Sequence, residues 1–428
     1  MQYTEYIDNK SILGIIRRSC SYVDSRLIDH GYRVAFLVSM IARQYHEPDE
    51  KGLRDICFLS LLHDIGAYKT DEITRLLHFE SSNVFNHSVY GYLFIKYFSP
   101  LKRLSKAVLY HHVPWNQLEK TSFLLGDSGD TPNGIFTLAQ IIQVADRIDV
   151  AVSTEHRSWA EAISTIQKGK GTRFSPQIAE IAESLPPIVS IEDACKNDAR
   201  FHHILSGVPF TPDEIAGYLS MLIFTIDFRS RHTVTHTITT TSISYELAKL
   251  LGADENTCNQ IVCGTLLHDL GKIGIPVEIL EYPGKLSPQA MTIMRTHVDI
   301  TEKIFGGEID ETITRLAIRH HEKLDGSGYP RGLTAADLTS GERIVAIADI
   351  VSALAGTRSY KEAFPKEKFL TILTQMKGDG LLDPDIVDLM VNNFDTVMEE
   401  TRTRCQPLLD LYEEIQSEYE SLSKITMP

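Results

Sequence analysis

Six cysteines in 428 residues (20, 57, 195, 258, 263 and 405) make no C-x-x-C pair and no regular framework. This argues against a disulfide scaffold or a thiolate metal site and fits reduced thiols. Positive charge is also short: 42 Lys and Arg stand against 57 Asp and Glu, a formal net charge of −15. A general DNA- or RNA-polymer surface is therefore not expected, although a small anionic ligand can still meet a locally positive pocket. No apolar run approaches the roughly 18–20 residues that cross a bilayer; GIFTLAQIIQVA at 134–145 is too short. The opening MQYTEYIDNK carries early acidic residues and no apolar signal core. These absences predict a cytoplasmic protein without a membrane partner. Strict period-two alternation is scarce as well, which disfavours a sheet protein.

What is present is helical periodicity. HGYRVAFLVSMIARQY, HTITTTSISYELAKLL and SKAVLYHH place apolar residues at three- and four-residue spacing, with Gly and Pro between such segments. The expectation is an all-α protein, and the length suits two domains of about 200 residues. The two halves then prove to be divergent copies. FLSLLHDIG at 58–66 matches CGTLLHDLG at 263–271, and His30 and His236 open apolar helices 33 and 32 residues ahead of His63 and His268. A lone histidine follows in each half (His87, His297), then a pair (His111/His112, His320/His321), then an apolar run reaching Asp146 or Asp349. KGKGTRFSPQIAEI at 168–181 parallels KGDGLLDPDIVDLM at 377–390. The pattern lapses near 196–215, so the chain divides into tandem domains over 1–200 and 201–428. The acidic amphipathic segment at 408–424 is a packing surface or the seam of a homodimer.

Ten of the 16 histidines belong to this pattern, five per half, and each half adds two aspartates. Neutral imidazole and carboxylate are ligands for iron, manganese, zinc or nickel. A single such histidine is more ordinarily a core or capping residue; an ordered set repeated twice is not. Seven ligands are too many for one ion that keeps an open position, and they suit two ions about 3.5–4 Å apart with a bridging carboxylate. Neighbouring helical residues point about 100° apart, so His268 can bind one ion while Asp269 spans both. His320 and His321, at a helix end, can meet the second ion from different sides. His232, four before His236, is a further candidate for a third ion or for an outer donor. Lys272, four after His268, offers a mobile point charge for a phosphate, and Arg358 and Lys361, just past Asp349, add two further cations for an anionic group.

HDLGKIGIP at 268–276, HHEKLDGSGYPRGL at 320–333 and RIVAIADIVSALAGTRSYKEA at 343–363 resemble the HD-GYP family, while the first half resembles only the wider HD superfamily. The whole chain looks like the tandem HD plus HD-GYP arrangement of bacterial cyclic dinucleotide phosphodiesterases. The resemblance implies metal-dependent hydrolysis of cyclic di-GMP or 3′,3′-cyclic GMP–AMP to the linear dinucleotide, with mononucleotides as a further product. It implies His236, His268, Asp269, His297, His320, His321 and Asp349 as ligands of two transition-metal ions, three if His232 joins, with iron first and manganese or another divalent metal as alternatives. A metal-activated hydroxide would be the nucleophile, with Asp269 and Lys272 as catalytic residues. Lys272, Gly328, Tyr329, Arg358 and Lys361 would bind substrate, and Glu322 and Asp325 would orient ligands or loop groups.

The first half keeps the ligand types, as His30, His63, Asp64, His87, His111, His112 and Asp146, and lacks the substrate equipment. Ala67 stands where Lys272 does, HHVPWNQ has no glycine loop, and Glu155 and Ser158 occupy the Arg358 and Lys361 positions. This predicts a metal-holding domain that is regulatory or structural rather than a second enzyme. Two rivals remain at this point: hydrolysis of another phosphoester such as a nucleotide or alarmone, and a metal-loaded cyclic-dinucleotide receptor with little turnover.

Overall fold

The computed structural model describes residues 6–23, 29–67, 85–124, 133–227, 235–282, 284–355 and 365–423. Among these the regular structure is helical, with two isolated bridges (Lys170 with Phe174, Asp325 with Thr334) and no strand. No helix of the described residues is long and apolar enough to cross a membrane. The fold is all-α, as the periodicity predicts.

The chain forms two compact units. One comprises Cys20–Met221 with Ile415–Pro428, the other Leu222–Glu414 with Met1–Ser19. Each is built on five helices in one order: His30–Tyr45, Glu50–Leu61, Phe85–Phe98, Ser105–Tyr110 and Asn133–Asp149 in the first, and His236–Leu250, Glu255–Leu267, His297–Phe305, Glu311–Ile318 and Ser340–Ala355 in the second. The copies share their punctuation. Asp49 and Asp254 cap the second helix of each set by accepting the amides of Gly52 and Thr257, satisfying donors that a helix start leaves open.

Packing follows the apolar stripes. His30–Tyr45 buries Val34, Phe36, Leu37, Val38 and Ile41, whereas Ser340–Ala355 buries Ile344, Val345, Ile347, Ala348 and Val351 against Ile243, Leu247, Leu316 and Ile386. Asp349 lies on the same buried helix, so the core delivers a carboxylate inward. Terminal segments complete both units. Arg18 donates to the carbonyls of Ile304 and Phe305 and to Glu308, at 2.5, 3.0 and 2.7 Å, capping the helix that begins at His297. Glu418 accepts from Tyr92, Lys96 and Tyr97 on the helix that carries His87. The 408–424 segment is thus largely the end of a longer helix, Phe394–Ser423, and residue 424 lies outside the described residues.

Candidate metal centres

The HD pair sits where a helix stops. Glu255–Leu267 ends one residue before His268, and Leu270–Gly274 continues as a tight 3₁₀ segment. The expectation of His268, Asp269 and Lys272 on one continuous α-helix is therefore replaced by a turn. The turn exists because Gly271 runs against the neighbouring helix: a Cβ there would lie 1.9 Å from the His297 carbonyl oxygen. The amide of Gly271 donates to Thr301 Oγ1 at 2.9 Å, so only glycine lets the HD turn and the His297 helix approach this closely. Gly66 meets the His87 carbonyl in the same way, at 2.1 Å.

The C-terminal set then converges. Asp269 Oδ2 lies 3.2 Å from Nε2 of both His236 and His268, while its Oδ1 lies 3.5 and 4.0 Å from Nε2 of His297 and His320. Asp349 Oδ1 is 3.2 Å from His236 and 3.8 Å from His268, and its Oδ2 is 3.6 Å from Nδ1 of His321. Ligand atoms across a shared ion bonded at about 2.0–2.2 Å stand 3–4 Å apart, so the spacing fits. The donors fall into two groups, His236 with His268 and Asp269, and His297 with His320 and His321.

Hydrogen bonds set the tautomers. Nδ1 of His268, His297 and His320 each faces a backbone carbonyl, of Thr265, Met294 and Ala317, at 2.6–2.7 Å. The Nε2 lone pairs are thereby turned inward, as outer-shell carbonyls do for metal-binding imidazoles. Buried Nε2 of His236 and His268 and Oδ1 of Asp269 make no hydrogen bond of acceptable geometry. Orphaned buried polar atoms are costly, and a cation satisfies all three. Burial opposes charge on His268, but the Asp269 and Asp349 carboxylates overcome it and raise its pKa to about 10. Burial instead lowers His321 to about 3. Such opposite displacements describe a pocket where two carboxylates and several buried imidazoles crowd together.

Around the ligands, Lys272 Nζ reaches Asp269 Oδ2 at 2.5 Å. Buried Glu322 accepts the amides of Arg331 and Leu333, at 2.7 and 2.9 Å, and Asp325 accepts from Ser327. These two acids fix the DGSGYP loop. Within the loop, Gly328 packs so close to the preceding turn that a Cβ would stand 2.4 Å from the Lys323 nitrogen. The Tyr329 ring lies 4.6 Å from the His321 ring, and the Arg295 guanidinium lies 4.7 Å from the Tyr329 centroid. Arg295 escapes sequence reasoning because only the fold brings residue 295 to residue 329. Asp227, ending Pro212–Asp227, escapes it too: burial pushes its carboxyl up to about 7, with His236 pulling the other way. His232, Arg358 and Lys361 lie outside the described residues.

The N-terminal unit gathers the equivalent set. Asp64 Oδ1 lies 3.5 and 3.8 Å from His87 and His111, while Oδ2 lies 3.4 and 3.9 Å from His63 and His30. His30 Nε2 is 3.3 Å from Asp146 Oδ1. The two groups are Asp64 with His87, His111 and His112, and His30 with His63 and Asp146. Buried Nε2 of His63, His111 and His112 again has no hydrogen bond. Ala67, fully buried, offers nothing to a phosphate.

An HD-domain family model matches residues 27–151 and a second HD-domain model matches 220–386. Helical architecture and duplicated His/Asp centres define a protein of two tandem HD domains. More narrowly, the chain is similar along most of its length to one cyclic dinucleotide phosphodiesterase and over a shorter stretch to others. It is 28% identical over 404 residues to 3′3′-cGAMP-specific phosphodiesterase 1 of Vibrio cholerae, covering 88% of this chain and 90% of that protein. It is 36% identical over 176 residues to the cyclic di-GMP phosphodiesterase response regulator RpfG of Xanthomonas campestris, covering 40% of this chain and 46% of the relative. The crystal structure of V-cGAP3, a cyclic GMP–AMP phosphodiesterase of V. cholerae, superposes with a TM-score of 0.56 at 19% identity, covering 91% of this chain and 98% of that one. That likeness is one of fold. The chain thus spans most of one curated relative and less than half of another.

Proposed function

We propose that this protein is a metal-dependent phosphodiesterase that opens a bacterial cyclic dinucleotide, cyclic di-GMP or 3′,3′-cyclic GMP–AMP, at the C-terminal centre. The observation that carries the reading is the division of Asp269 between two imidazole groups, with Lys272 against the same carboxylate. The named activities of the relatives support the substrate class, and the near full-length match to a 3′3′-cGAMP-specific enzyme favours the mixed dinucleotide.

His236, His268, Asp269, His297, His320, His321 and Asp349 would hold two transition-metal ions, iron first and manganese as the alternative, since the donors are all N and O. Such ions supply a nucleophile from water near neutral pH and neutralise charge on the phosphoryl oxygens. The chain's own residues do the rest. Lys272, which contacts Asp269 Oδ2, would give a point charge for a non-bridging phosphate oxygen. The fixed DGSGYP loop sets the Tyr329 ring beside His321 as one wall of the pocket, and Arg295 extends that wall with a cation. Arg358 and Lys361 are proposed to hold phosphate or a base edge. The unit built on Cys20–Met221 would form the non-hydrolytic domain and the unit built on Leu222–Glu414 the enzyme, working in the cytoplasm, with a homodimer as the alternative to a monomer.

Turnover of both cyclic dinucleotides by iron- or manganese-reconstituted protein tests this. His268→Ala/Asp269→Ala should abolish product, whereas His63→Ala/Asp64→Ala should retain most of it. Binding without product would make the protein a receptor instead, and equal losses in two folded variants would defeat the division of labour.

A further inference from the structure

The two centres share inner ligands and differ in what stands behind them. In the N-terminal centre, His30 Nδ1 donates to Asp149 Oδ2 at 2.7 Å. Asp149 is fully buried and gripped on both oxygens by Arg33, Nε to Oδ1 at 2.7 Å and Nη2 to Oδ2 at 2.9 Å, with Ser153 Oγ donating to Oδ1 at 2.8 Å. In the C-terminal centre the corresponding position, three residues after the last ligand aspartate, is Ser352, whose hydroxyl lies 3.0 Å from His236 Nδ1 and 3.2 Å from the His236 carbonyl. A carboxylate accepting the Nδ1 proton makes the opposite nitrogen a stronger donor to a cation than a serine oxygen does. The last aspartates differ as well. Arg147 Nε donates to Asp146 Oδ2 at 2.7 Å, leaving Oδ1 as the oxygen toward His30, whereas both oxygens of Asp349 face imidazoles.

We propose that Asp149, held by Arg33, is a positioning residue that makes the N-terminal centre the firmer metal holder of the two, so that its ion stays bound under chelation that empties the C-terminal centre. The ligand is a divalent transition-metal ion. Orientation and basicity are both supplied from within the chain: Arg33 holds Asp149 by both oxygens, Asp149 fixes the His30 tautomer, and Arg147 restricts Asp146 to one oxygen. The C-terminal centre, with a hydroxyl in that role and a freer Asp349, is built for adjustment. This inference rests on the reading of the N-terminal cluster as a metal centre.

The test uses the full chain loaded with Mn(II), dialysed against graded EDTA, with metal per chain measured by mass spectrometry. Wild type should release metal in two stages. His63→Ala/Asp64→Ala should lack the late stage, and His268→Ala/Asp269→Ala the early one. Arg33→Met/Asp149→Ser removes both buried charges together, so no lone charge is stranded; it should move the late stage to about 10- to 100-fold lower EDTA. Thermal melts by circular dichroism report whether each variant is folded. If His63→Ala/Asp64→Ala carries as much metal as wild type, the N-terminal cluster is no metal centre and the underlying reading fails. If that variant loses the late stage but Arg33→Met/Asp149→Ser releases metal like wild type, this inference alone is overturned. A lowered melting temperature with unchanged release would likewise assign Asp149 a purely structural role and overturn it.

Discussion

Replacing Gly271 by alanine adds one methyl group at the closest approach in the C-terminal centre. The new Cβ would stand 1.9 Å from the His297 carbonyl oxygen, 2.6 Å from the Thr301 nitrogen and 2.8 Å from Thr301 Oγ1. Carbon and oxygen approach to about 3.3 Å in a close contact, so the HD turn and the His297 helix must part by roughly 1.4 Å. Two of the three clashing atoms are backbone, so no side chain can rotate away. Overpacking of this kind costs about 1–3 kcal/mol, which for a domain of this size lowers the melting temperature by roughly 3–10 °C. The chemical effect is larger. Asp269 and His297 are carried on the two separating segments, and misplacement of about 1 Å at a catalytic centre costs on the order of 10²-fold in rate. Differential scanning calorimetry and initial rates on a cyclic dinucleotide measure the two effects. Gly378→Ala is the matched control, since nothing lies within 4 Å of its Cβ position; it should leave both readings near wild type. Wild-type melting and turnover in Gly271→Ala would refute the close-approach reasoning.

Three further outcomes follow from the site. Lys272→Met should lower kcat/KM by about 10- to 100-fold, the worth of a hydrogen bond to a charged group, with metal content unchanged; an unchanged kcat/KM would remove Lys272 from the substrate. Arg295→Met should raise KM about 2- to 10-fold through the lost cation–π support of Tyr329, which steady-state kinetics will detect, while unchanged kinetics would make Arg295 a surface residue. Asp227→Asn tests a pH effect in metal-free protein. Because burial raises the native carboxyl to about 7 from 3.8, the folded chain holds a proton the unfolded chain releases, and stability falls as pH rises through that window. The gain in melting temperature of Asp227→Asn over wild type should therefore be larger at pH 8 than at pH 5; equal gains at both would contradict it.

Much of this was legible in the chain because ligands recur in order. Helical periodicity, the duplicated HD turn, and the lone and paired histidines are local or periodic features, and they led to two all-α domains. The same features could not reveal that Glu255–Leu267 stops before His268, because its end is set by Gly271 meeting the His297 carbonyl on another helix. Nor could they reveal Arg295 beside Tyr329, whose pairing is purely tertiary. The contrast between Asp149 and Ser352 is visible in an alignment of the halves, yet without the fold it is only an acid opposite a serine.

By itself the sequence determined the class of fold, the repeat, the ligand types and the loss of Lys272 and the glycine loop from the first half. All of these are written in residue identity and spacing. Tertiary structure decided which oxygen of Asp269 faces which imidazoles, which ring nitrogens turn inward, and what stands behind each ligand. Those depend on distances between segments far apart in the chain, and spacing along a sequence does not encode them. It also decided that Met1–Ser19 and Ile415–Pro428 complete units to which the linear repeat does not assign them, because packing of an apolar face selects whichever surface is open, not the nearest in sequence.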